Sequence, residues 1–193
     1  MKLHPLKQED ILEKLSFAEK RLGEILELNN GDLAGADASS RQQLLQEFFF
    51  HVVGAIDVLA QLINQEQKLG FEPDKVNVSR VENKLSDEDP IKPFLSSLYP
   101  NPNKRPLPEN PYSDEGYIYR LYNYRNHVTH RRRNPFFISV NLNSPNTSRE
   151  TLLMLDPLDP NSGPSNKLAK AELTYILGLV RMKCQGILTL IYK

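Results

Sequence analysis

The chain has 193 residues, with 24 Lys and Arg against 24 Asp and Glu and no net formal charge. That length suits one domain, and the zero balance excludes coating of nucleic acid by bulk charge while leaving room for a local basic patch. A single cysteine, Cys184, excludes an intrachain disulfide framework and a cysteine-based zinc site.

Met1 to Asp10 lacks an apolar core, so no signal peptide is expected and the cytoplasm is the natural compartment. The first helix is predicted over about Gln8 to Leu28. Ile11, Leu12, Leu15, Ala18, Leu22, Ile25 and Leu26 recur at three- and four-residue spacing, and Asn29-Asn30-Gly31 is a stop signal. The second runs from about Ser39 to Leu69, capped by Ser39 or Ser40 and ended by Gly70. Its thirty or so residues would span roughly 45 Å, a length typical of bundles. Residues 71–113 hold eight of the fourteen prolines. They suit short helices near Ser79–Leu85 and Pro90–Leu98, then an extended connection from Tyr99 to Pro111.

A third long helix opens at Ser113, with Asp114 and Glu115 suited to its first turn, and continues to about Arg133, where Asn134-Pro135 stops it. Phe136–Leu142 and Thr151–Leu155 have strand character and form a predicted β-hairpin. Asp156 to Ser165 reads as a loop. The last helix runs from about Ser165 to Tyr192, and its stretch Leu173 to Tyr192 is the most apolar of the chain. Arg181, Lys183 and Gln185 interrupt it, so it reads as a buried helix rather than a membrane span. The expected fold is all-α: a single domain over residues 1–193, an up-and-down bundle of four to five helices with a small hairpin before the last.

The basicity missing from the whole is concentrated in one place. Tyr117 to Ser148 contains five arginines (120, 125, 131, 132 and 133), two histidines and no acidic residue. On a helical wheel centred on Leu121, Tyr117, Tyr124 and Val128 share the core side, and Arg125 falls about 40° off at the core edge. Asn126 and His130, at about 140° and 180°, point outward, and their i,i+4 spacing lets amide and imidazole meet. His130 therefore needs solvent or a second chain.

The segment Arg125-Asn126-His127-Val128-Thr129-His130 resembles the signature of the HEPN superfamily: Arg, a polar residue, three variable residues, then His, late in an all-helical bundle. The resemblance covers these six residues and the order of helices over most of the chain. It implies an HEPN-like bundle that forms a homodimer, with two motifs facing each other in a cleft. It further implies a metal-independent endoribonuclease without cofactor, with RNA as substrate. The setting would be a toxin–antitoxin pair or an antiviral defence system, with an antitoxin or defence protein as partner. Arg125, Asn126 and His130 would be catalytic. The imidazole would move a proton to or from the RNA 2′-OH, and the guanidinium would hold the phosphate. Arg131, Arg132, Arg133 and Tyr122 would bind RNA. One toxin subgroup carries a tyrosine two places after the motif histidine. Arg132 stands there in this chain, which argues against that subgroup. Family members often set a polar or acidic residue of an earlier helix against the motif; Glu47 and Asp57 both qualify.

Other readings stay open at this level. The resemblance also covers non-catalytic modules that bind RNA, a nucleotide or a protein. Arg125 could be a surface arginine, Arg131–Arg133 could complement the negative end of their helix, and the whole could be a structural helical dimer. His127 is expected in solvent. His127 and His130 lack a third ligand for a metal, and His51 reads as a satisfied histidine at the core or its edge. Tyr117 and Tyr124 read as core. Tyr119 and Tyr122 suit either base stacking or interface packing. The Pro-rich segment 99–111 and the hairpin flank the motif helix and could gate a cleft.

Overall fold

The computed structural model describes residues 5–28, 38–100, 107–130, 136–141, 149–156 and 164–193, with positions 28, 38, 130, 136–141, 149–152, 155 and 164–167 described by their backbone alone. The fold is predominantly helical. The helices are α1 (Gln8–Leu28), α2 (Ala38–Glu66), α3 (Val78–Lys84), α4 (Ile91–Ser96), α5 (Asp114–His130) and α6 (Ala169–Ile191), with a short 3-10 turn at Pro73–Lys75. Strands β1 (Phe136–Asn141), β2 (Arg149–Leu155) and β3 (Pro164–Leu168) lie between α5 and α6.

The apolar stripes explain the packing. Ile11, Leu15, Ala18 and Leu22 of α1 are buried against α2, whose Leu45, Phe48, Phe49, Val52, Ile56, Leu59 and Ile63 face inward. Helix α2 also packs against α3, α5 and α6, which makes it the central strut. Helices α2 and α6 have the length and apolarity of a bilayer span, and 56% and 39% of their most apolar windows are buried within the fold. Cys184 lies in that core on α6, and burial pushes its thiol up to about 12. Helix α2 ends at Glu66, earlier than its apolar pattern suggests. The chain leaves it through left-handed conformations at Lys68 (φ 50°) and Gly70 (φ 83°), the second of which favours glycine.

The region before α6 corrects the sequence reading. The expected hairpin is there: β1 and β2 are antiparallel, with Phe136 opposite Met154 and Asn141 opposite Arg149. A third strand, β3, pairs antiparallel with the other edge of β2, so the sheet order is β1-β2-β3. The last helix accordingly starts at Ala169, four residues beyond the predicted Ser165. Pro-Ser-Asn-Lys-Leu has neither alternation nor β-branched residues. It is extended because a free strand edge is available to it, a tertiary cause that local pattern does not carry. Asn29–Gly31, Asn134-Pro135, residues 101–106 of the 99–111 connection and residues 157–163 of the 156–165 loop lie outside the described residues.

Candidate functional site at the end of α5

Helix α5 is held firmly at its start. The Ser113 hydroxyl accepts a hydrogen bond from the Gly116 backbone N–H (3.1 Å), capping the first turn. Gly116 sits so close to the preceding turn that a Cβ there would lie 2.5 Å from the carbonyl carbon and oxygen of Pro111. From Gly116 to Leu121 the helix is buried on every side. Further along, Tyr124 stacks on Phe49 of α2 (centroids 5.4 Å apart), and Gln46 Nε2 donates to the Val128 carbonyl (2.8 Å), tying the last turns to α2.

Arg120 anchors the other side. Its guanidinium is fully buried. It donates to Glu172 of α6 (2.5 Å), to Asp156 just after β2 (3.2 Å) and to the Tyr124 hydroxyl (3.0 Å), and Tyr124 in turn donates to Glu172 (2.9 Å). The Tyr112 ring covers it at 4.9 Å. Burial opposes its charge, but the Glu172 hydrogen bond and the surrounding negative groups outweigh this and raise the pKa above its ordinary value. Arg120 thus belongs to the interior and not to a basic surface. The sequence does hold a signal for its partner: Glu172, Ile176 and Val180 share one i,i+4 row, and all three are buried.

The motif begins where this packing relaxes. The wheel places its residues well in part: Tyr117, Leu121, Tyr124 and Val128 are buried, Arg125 is half-buried, and Asn126 and Thr129 are exposed. The Thr129 hydroxyl donates to the Arg125 carbonyl (2.6 Å), one turn back. His130 is the last residue of α5, and Arg131, Arg132 and Arg133 lie outside the described residues. His127, expected in solvent, is instead 5% exposed. It lies on the Arg120 side of the helix, where the buried arc is wider than the apolar stripe. Tyr119 is likewise buried.

Of the two acidic candidates on α2, Glu47 is engaged elsewhere. It pairs with Arg21 of α1 (2.5 Å) and accepts from Gln43 (2.9 Å). Asp57 is the carboxylate within electrostatic reach of Arg125. It stands at a cavity rim, exposed but walled in. Lost hydration raises its pKa above the ordinary aspartate value, against the pull of Arg125. Tyr122, one turn before Arg125 and Asn126, packs edge-on against Tyr99 (5.6 Å). Its hydroxyl is buried with no hydrogen-bond partner among the described residues, and desolvation followed by the Asp57 charge raises its pKa.

His51 lies apart from this group, half-buried between Phe17 and Phe50 (5.3 and 5.5 Å). Its Nδ1 is buried without a partner among the described residues, where a satisfied ring was expected. Desolvation, then the charges of Lys14 and Arg21, lowers its pKa. Among the described residues no three His, Cys, Asp or Glu side chains gather to hold a metal.

Chemically, the end of α5 offers a half-buried arginine within electrostatic reach of the Asp57 carboxylate, an exposed asparagine next to it in sequence, and a histidine one turn on. That set suits an anion with transferable protons nearby. Comparison with protein-family models, curated proteins and solved structures finds no match for this chain.

Proposed function

We propose that the chain is a metal-independent endoribonuclease of the HEPN type, working in the cytoplasm as a twofold homodimer within a toxin–antitoxin or antiviral system. The observation that carries this reading is the placement of Arg125 and Asn126 about one turn before His130 at the end of α5, with the Asp57 carboxylate of α2 within electrostatic reach of Arg125. An acidic group on an earlier helix near the motif is what the resemblance leads one to look for, and the electrostatic influence of Arg125 on Asp57 supports that choice.

In this reading His130 of one copy takes the proton of an RNA 2′-OH as the oxygen attacks the adjacent phosphorus. The bond to the 5′-oxygen breaks, and His130 of the second copy returns a proton to that oxygen. The products are a 2′,3′-cyclic phosphate and a 5′-hydroxyl end. Arg125 holds the non-bridging oxygens and neutralises charge growing on them. Asn126 orients the phosphate or the imidazole. Arg131, Arg132 and Arg133 draw in the strand.

RNA digestion in EDTA, with wild type beside Arg125→Ala and His130→Ala, tests this. Cleavage by wild type alone is expected. Salt-sensitive RNA binding without cleavage by any of the three would instead identify a non-catalytic RNA-binding module.

A further inference from the structure

Next to the motif lies a cavity of about 460 Å³, lined by Asp57, Asn77, Ser79, Arg80, Tyr99 and Tyr122 among others. Its volume falls in the range of small-molecule sites, roughly 300–1,000 Å³. Tyr122 precedes Arg125 and Asn126 by three and four residues on α5, so the cavity wall stands about 6 Å along the helix from the motif, on the same face. That is a span comparable to one nucleotide.

Asn77 is spent on capping α3, where its Oδ1 accepts from the Arg80 backbone N–H (2.9 Å), but three other groups keep polar capacity. No hydrogen bond reaches the Asp57 carboxylate among the described residues, and the Tyr122 hydroxyl has none either. Arg80 uses one N–H on the Lys75 carbonyl (2.8 Å) and keeps others. The edge-on Tyr99–Tyr122 pair supplies an aromatic wall for a flat ring.

A ligand that suits this lining is flat and offers adjacent donors to a carboxylate and acceptors to a guanidinium. Among RNA bases guanine does both. Its N1–H and N2–H₂ form a paired donor edge for the two carboxylate oxygens, and O6 with N7 forms the acceptor edge that arginine reads bidentately. Adenine and cytosine place an acceptor beside their amine on the pairing edge, and uracil places carbonyl oxygens on both sides of its N–H.

We propose that this cavity is a base pocket for guanine, seating the nucleotide whose phosphate lies at Arg125. The identity of the polymer rests on the ribonuclease reading; binding of the base does not.

Calorimetric titration of 3′-GMP, 3′-AMP, 3′-CMP and 3′-UMP into the full chain tests it, using wild type, Asp57→Asn and Tyr122→Phe with folds checked by circular dichroism. Wild type should bind 3′-GMP on the order of tenfold more tightly than 3′-UMP, the scale of one bidentate contact. Asp57→Asn should abolish that preference. Tyr122→Phe, which has no hydrogen bond to lose among the described residues, should weaken 3′-GMP. Equal affinity for all four, binding of none, or unchanged selectivity in Asp57→Asn overturns the proposal. Should Asp57→Asn fail to fold, Tyr122→Phe decides: undiminished 3′-GMP affinity overturns it. RNA digestion in EDTA separates the two claims. Cleavage with no preference for guanosine overturns the pocket alone, and selective 3′-GMP binding without cleavage overturns the ribonuclease reading alone.

Discussion

Replacing Arg120 by methionine keeps most of the side-chain volume but removes the cation from the α5–α6 junction. Glu172, 0% exposed, would then be left with the Tyr124 hydroxyl as its remaining donor in the network. Its second oxygen, Oε2, already lacks a partner among the described residues. Breaking a buried pair by removing one member costs about 3–5 kcal/mol, because the remaining charge is uncompensated. Against a typical stability of roughly 5–15 kcal/mol that is a large fraction. For a domain near 200 residues it lowers Tm by about 6–20 °C. Thermal and urea unfolding followed at 222 nm would read the loss. The double variant Arg120→Met/Glu172→Leu should regain most of it, since replacing both partners removes the orphaned charge. A single variant within about 1 kcal/mol of wild type, or a double variant worse than the single, would refute the view that this network locks α5 in place.

Tyr122→Phe should leave stability unchanged or raise it by about 1 kcal/mol, because the lost hydroxyl is buried without a partner among the described residues; urea midpoints would show this. Asp57 has a raised pKa in the fold, so its contribution is complete below the ordinary aspartate value and is lost as pH climbs through the raised one. Asp57→Asn should therefore match or exceed wild-type Tm at pH 7 and flatten the Tm-against-pH curve in the acid range. Gly116→Ala forces a Cβ to within 2.5 Å of the Pro111 backbone, and overpacking of this kind costs about 1–3 kcal/mol, measurable as a lower urea midpoint.

How far the sequence could be read depended on what each element faces. Helix α1 was legible end to end because its stripe is apolar, and the wheel put Tyr117, Tyr124 and Val128 inside for the same reason. Arg120 and His127 escaped it. A wheel assigns polar residues to solvent, whereas Arg120 is buried by a glutamate 52 residues away. The choice between Glu47 and Asp57 depends on how α2 crosses α5 and on Arg21 of α1 taking Glu47, and neither is a local property. Strand β3 was missed because its pairing comes from a vacant edge of β2 and not from its own residues. The motif itself was visible as a string and Asp57 as one of two carboxylates; the choice between them and the cavity beside the motif became visible only with the packing.

End-group analysis of RNA incubated with the protein in EDTA reads the proposed cleavage at its products. Wild type should yield 2′,3′-cyclic phosphate and 5′-hydroxyl ends, and His130→Ala should yield none. Absence of cleavage by wild type, or the same products at the same rate from His130→Ala, would contradict it.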